Sequence, residues 1–209
     1  MEFKTIKENV QTEIVEKKSK FISNFFYVEN INDAEDKIKE VKKKYHDAKH
    51  NCIAYRVLED EKIVERASDD GEPSGTAGGP MLNILKKENL ANVLIVVTRY
   101  FGGILLGTGG LVRAYSESLQ EAISNSTIIE KCTGYIFKCV VAYNNFENFK
   151  YYCRKNNIKV ADVNYEENIV CQIELEEGKK EKLIDDYKDK KINLINLEDL
   201  YVKNIDKSI

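Results

Sequence analysis

Polar and apolar residues alternate through TEIVEKKSKFISNFFYV (residues 12–28), which predicts two β-strands joined by a turn near residues 17–19. Ala34, Ile38, Val41 and Tyr45 then recur at helical spacing, with Asn32 or Asp33 as the expected N-cap of a helix running to about Tyr45. CIAYRVL and KIVERAS read as two further strands around an acidic turn at residues 59–61. Pro80 suits the first turn of a helix carrying Met81, Ile84 and Leu85. The run VLIVV (residues 93–97) is apolar at every position, the mark of a strand buried on both faces. A glycine loop follows it, and then Leu111, Tyr115, Leu119 and Ala122 return to helical spacing.

From about Cys132 the chain becomes rich in Asn and Lys and nearly free of glycine. Tyr135, Phe137, Cys139, Val141 and Tyr143 alternate as a strand, and Phe146, Phe149 and Cys153 mark a helix. Residues 160–165 and 169–175 are strands flanking the turn Glu166-Glu167-Asn168. Leu183, Ile184 and Tyr187 mark a second helix, and residues 197–202 can close a sheet. The order βαββαβ is that of a ferredoxin-like sandwich, so the chain is expected to be α+β with domains at 1–130 and 131–209.

Composition sets the class: among 209 residues, 43% are hydrophobic and 32% charged, enough apolar surface for a real core. No stretch approaches the roughly 20 continuous apolar residues of a membrane helix, and the first residues lack the apolar centre of a signal peptide. A cytoplasmic location and no membrane partner are therefore expected. The five cysteines are odd in number, widely spaced and without a C-x-x-C pair, which suggests neither a disulfide framework nor a zinc cage. A net charge of −3 argues against a whole-molecule grip on nucleic acid, though a local basic patch would not show in that sum.

Nine of the 11 glycines, and both prolines, fall within residues 71–110, so the functional centre is expected in two loops there. In the second loop, Gly102, Gly103, Gly107, Gly109 and Gly110 join a buried strand to a helix, a junction that can aim backbone N–H groups at an anion. It matches G-x-x-x-x-G at Gly102 to Gly107, but Thr108 stands where a phosphate-binding lysine would, and no G-x-G-x-x-G is present. The glycines either permit close packing or, with Arg99 and Arg113, contact phosphate. These are two of only five arginines beside 27 lysines, which suggests a planar, bidentate partner such as an internal carboxylate or an external anion.

Carboxylates are at hand in the first loop, SDDGEPSGTAGGP, with Asp69, Asp70 and Glu72 followed by Ser74 and Thr76. They could form a structural turn with salt bridges, a ligand surface, or an acid/base or cation site. The spacing is not an EF-hand, and Ser74 is not in a G-x-S-x-G elbow. His46 and His50 imitate half of H-E-x-x-H, but the helix is expected to end near Tyr45, so no shared face and no zinc are expected. His50 instead suits a place beside the acidic loop. Lysine-rich stretches at 37–44 and 179–191 read as solvated helix faces.

The combination K-S-K-F-I at Lys18, H-x-C-x-A-Y-R at His50, D-D-G-E-P-S-G-T-A-G at Asp69 and V-T-R-Y-F-G-G-x-x-L-G-x-G-G-L-V-R-A-Y at Val97 closely resembles the IMPACT family in its bacterial, YigZ-type form. The resemblance spans essentially the whole chain. It implies an N-terminal domain like domain 2 of ribosomal protein S5 and a C-terminal ferredoxin-like domain similar to the last domain of translocation elongation factors. Both fold relatives act on RNA or the ribosome, although a fold alone is a weak warrant for function. Eukaryotic relatives are translational regulators that compete for the activator of an initiation-factor kinase. Their additional partner-binding domain is not expected here, so that mechanism is not carried over.

Carried over by motif, the site residues are His50, Asp69, Asp70, Glu72, Ser74, Thr76, Arg99, Tyr100, Gly102, Gly103, Gly107, Gly109, Gly110 and Arg113, with Tyr115 closing the second motif. The leading expectation is a non-enzymatic, translation-associated protein binding RNA, the ribosome or a translation factor, without cofactor or metal. Its rivals are a hydrolase of a small phosphorylated or peptide-like substrate using Asp70 or Glu72 with His50, and a protein-binding module with an exposed apolar patch beside the loops.

Overall fold

The computed structural model describes residues 2–59 and 62–206. Among them are ten strands and five α-helices, the α+β class expected, and the chain divides into two compact units. One is Phe3–Ile129; the other runs from Glu130 onward and takes in Glu2.

In the first unit β2 (Val10–Glu16), β3 (Ser19–Tyr27), β4 (His50–Glu59), β5 (Lys62–Ser68) and β6 (Val93–Tyr100) form one sheet in the order β2-β3-β6-β4-β5, with every neighbouring pair antiparallel. β6 is central, which is why it lacks a polar face. Leu94 and Val96 pack with α1 (Ile31–Lys44) residues Ala34, Ile38 and Val41. Val93, Ile95 and Val97 point to the other core, built with α2 (Gly78–Lys87) and α3 (Gly107–Ser124) through Met81, Leu85, Leu111, Tyr115 and Leu119. The turn between β2 and β3 is Lys17-Lys18, both at positive φ (46° and 64°), the twist that matches a two-residue hairpin.

Two details differ from the sequence reading, and one lies outside the described residues. α1 starts two residues early, because Asn30 rather than Asn32 or Asp33 is the N-cap: its Oδ1 accepts from Asp33 N–H at 2.9 Å. The short β1 (Glu2–Ile6) carries no clear alternation, yet Phe3 and Ile6 are buried and Lys4 exchanges backbone hydrogen bonds with Asn89 and Ala91 at 2.9 Å. Of the acidic turn at residues 59–61, residues 60 and 61 lie outside those described.

The second unit contains β7 (Ile128–Val141) from its third residue on, α4 (Tyr143–Lys155), β8 (Lys159–Tyr165), β9 (Ile169–Glu176), α5 (Lys180–Lys188) and β10 (Asn196–Asp206). Its strand order β10-β7-β9-β8 is the ferredoxin-like arrangement expected from βαββαβ. Phe137, Cys139, Cys171, Ile173, Phe149 and Leu183 form its core. Tyr143 is not the end of the strand, as its alternation suggested, but the first residue of α4.

Candidate functional site

The first glycine loop, between β5 and α2, is wound around its own carboxylates. Asp69 Oδ1 accepts from the Ala77 and Gly78 N–H groups at 2.9 Å each, and its Oδ2 from Gly75 N–H at 2.8 Å. A carboxylate there also complements the positive end of α2. Burial pushes the Asp69 pKa up, the three backbone donors pull it down further, and the net position is below the ordinary carboxylate value.

Asp70, at φ 42°, accepts from Lys42 Nζ at 2.7 Å and from Asn51 N–H at 2.7 Å. Its carbonyl lies 3.0 Å from His50 Nδ1, a contact that requires the imidazole proton on that nitrogen. His50 therefore does pack beside the acidic loop. It sits on β4, whereas the exposed His46 lies beyond the end of α1, so the two share no helix face.

Glu72 is the buried centre of the cluster. Its Oε1 accepts from Arg99 Nη1 at 2.7 Å and from the Tyr115 hydroxyl at 2.9 Å, with the Arg99 and Glu72 side chains only 7% and 3% exposed. The Cys52 thiol lies 3.2 Å from the Tyr115 hydroxyl and 2.9 Å from the Asp69 carbonyl. Burial pushes this thiol up to about 12 and raises the Tyr115 phenol as well. Arg99 Nη2 reaches Ser19 Oγ at 3.4 Å, and the same oxygen accepts from Gly102 N–H at 3.2 Å. One buried ion pair thus ties both glycine loops to the β2–β3 turn.

The expected site residues fall into two groups. His50, Asp69, Asp70, Glu72 and Arg99 converge in the cluster just described, and buried Thr76 donates to the Pro73 carbonyl at 2.6 Å. Tyr100 donates to Asp47 Oδ1 at 2.7 Å, a bond that raises its pKa to about 12. Ser74 is exposed, as are Gly103, Gly107, Gly109 and Arg113; Gly102 is half-buried and Gly110 buried against Leu106. The two arginines expected to share an external anion differ in setting, because Arg99 is held inside by Glu72 while Arg113 faces solvent. For Arg99, the internal carboxylate is the partner its planar head group called for.

The Impact N-terminal domain family matches residues 17–123, which take in both loops and four of the five strands of the sheet that carries them. The chain belongs to the IMPACT family. A domain of unknown function, DUF1949, matches residues 139–186. The IMPACT family member YvyE of Bacillus subtilis is 40% identical over 173 residues, covering 83% of this chain and 79% of its own. The IMPACT family member YigZ of Escherichia coli is 33% identical over 166 residues, 78% of this chain and 80% of that one. A solved structure described as a hypothetical protein superposes with a TM-score of 0.62 at 29% identity, over 96% of this chain and 98% of the other.

The sequence reading of this IMPACT chain attached an exposed apolar patch beside the loops to its protein-binding alternative but assigned no residues to it; the structure has an apolar rim on the second loop. Phe101, Ile104 and Leu105 are 55%, 43% and 82% exposed. The Phe101 ring lies 5.6 Å from the Arg99 guanidinium, and the buried Phe21 ring lies 5.5 Å from the same group. The signal was present: F-G-G-I-L-L-G is an apolar run inside a loop, where polar residues are the rule.

Proposed function

We propose that this protein acts in translation as a non-enzymatic binding protein, presenting the exposed rim of its second glycine loop to a ribosome or a translation factor. The family's resemblance to translational regulators supplies the process, and the reading places the protein in the cytoplasm. The observation that carries binding rather than chemistry is the division of the site residues. All three loop carboxylates are engaged, Asp69 by backbone donors, Asp70 by Lys42 and Asn51, and Glu72 by Arg99 and Tyr115. Each of these contacts holds a loop in place within the fold, so the positions of the carboxylates are accounted for without a proton-transfer role. Facing solvent instead are Ser74 and the glycines Gly103, Gly107 and Gly109, together with the apolar Phe101, Ile104 and Leu105 and the cationic Arg113.

The test is co-sedimentation of the protein with ribosomes on sucrose gradients, at low and moderate salt and after ribonuclease treatment, with Leu105→Asp beside the parent. Comigration that Leu105→Asp abolishes supports the reading. Free sedimentation under every condition sinks it. Comigration lost to salt and indifferent to Leu105 assigns the contact to RNA phosphates instead.

A further inference from the structure

The rim has a chemical character that narrows its partner. Gly102 packs so closely on Lys18 that a Cβ there would strike the Lys18 carbonyl, so the Lys17-Lys18 turn and the Phe101–Leu105 loop form one continuous edge. Lys17 and Lys18 are exposed. α3 begins immediately after the apolar residues with Leu106 at its N-cap, no side-chain cap and no acidic residue in its first turn. Its first acid is Glu117. The free N–H groups and positive pole of an 18-residue helix therefore face solvent beside the apolar rim. Arg113 is exposed on the second turn of the same helix. Among the described residues, no ion pair is formed by Lys17, Lys18 or Arg113.

Gly109 adds an independent indication. Its φ is not in the left-handed region, and a Cβ there would meet nothing within 4 Å. Neither strain nor crowding inside this chain requires glycine at a helical position where glycine is unfavourable. A bare backbone at that point leaves the helix N-terminus open to close approach from outside.

We propose that this edge docks an acidic, amphipathic protein segment. Its apolar side chains cover Phe101, Ile104 and Leu105, and its carboxylates meet Lys17, Lys18, Arg113 and the N–H groups of Thr108 and Gly109. Charge complementarity selects an acidic partner. Phe101 and Arg113 suit a stacked base as well as a protein, whereas Ile104 and the strongly exposed Leu105 can be covered only by apolar side chains, which selects protein over RNA. The inference rests on the binding role proposed above and specifies its partner.

The experiment pans a phage-displayed library of random peptides, about 16 residues long, on the full-length protein. An enriched peptide is then measured by fluorescence anisotropy, with oligouridylate RNA as the rival probe. The expected result is enrichment of Asp and Glu interleaved with Leu and Phe. Leu105→Asp and Arg113→Glu, both at exposed positions, then each weaken binding about tenfold or more with unchanged thermal melting. Gly109→Leu, which covers the helix end, weakens it too. The proposal is overturned by no enrichment, by enrichment without acidic bias, by binding indifferent to these variants, or by oligouridylate displacing the peptide. If panning fails while ribosome comigration still depends on Leu105, only the partner's chemistry is wrong; if that dependence is also missing, the binding role falls with it.

Discussion

Gly102 and Glu72 are the two positions where a single atom decides whether the loops stay joined. A methyl group at Gly102 meets the Lys18 backbone, which cannot move aside as a flexible side chain would. Gly102→Ala is expected to cost about 1–3 kcal/mol, measured as a lower urea midpoint. Glu72→Ala leaves the Arg99 guanidinium buried without its carboxylate, so a loss of about 3–5 kcal/mol is expected in the same assay. Gly109→Ala has the opposite sign: with open space and ordinary backbone geometry, it should stabilise by about 0.5–1 kcal/mol. A lower melting temperature in Gly109→Ala would show that the glycine serves the fold after all. At this scale the sequence was informative about residue type and silent about setting. The scarcity of arginine pointed to a planar partner for Arg99, but only the register that pairs His50 with Arg99 and Phe21 with Arg99 shows why that partner is internal.

Elements with a long periodic stripe were legible in advance, and their ends were not. The α1 stripe Ala34, Ile38, Val41 is fixed by 3.6-residue periodicity, whereas Asn30, Asn32 and Asp33 are all competent caps and packing chooses among them. Tyr143 keeps the spacing of β7 while belonging to α4, since alternation cannot register where the backbone turns. α2 makes its own prediction, because its N-terminal N–H groups are capped from a distance by Asp69. A carboxyl held below its ordinary pKa contributes stability that is complete above the unfolded value and lost as the pH falls through the folded one. Asp69→Asn should therefore destabilise at neutral pH, with the gap to the parent closing as the pH falls below the ordinary carboxylate value. A gap independent of pH, in denaturant titrations across that fall, would remove the charge from the explanation.

Across the whole molecule, the two units are held by cores that share no residues. Ile173→Asp places a charge in the fully buried centre of the second unit and is expected to unfold it. The first unit should keep its own dispersed amide resonances, whereas collapse of the full NMR spectrum would show that neither unit folds without the other. The five thiols are distributed unequally over the same division: Cys52 lies in the first unit, and Cys132, Cys139, Cys153 and Cys171 in the second, all of them buried. A thiol reagent reaches such sulfurs only when the surrounding structure opens. The chain is consequently its own ledger of partial unfolding: one mass tag added records an opening of the first unit, and four record an opening of the second, with no probe engineered into either.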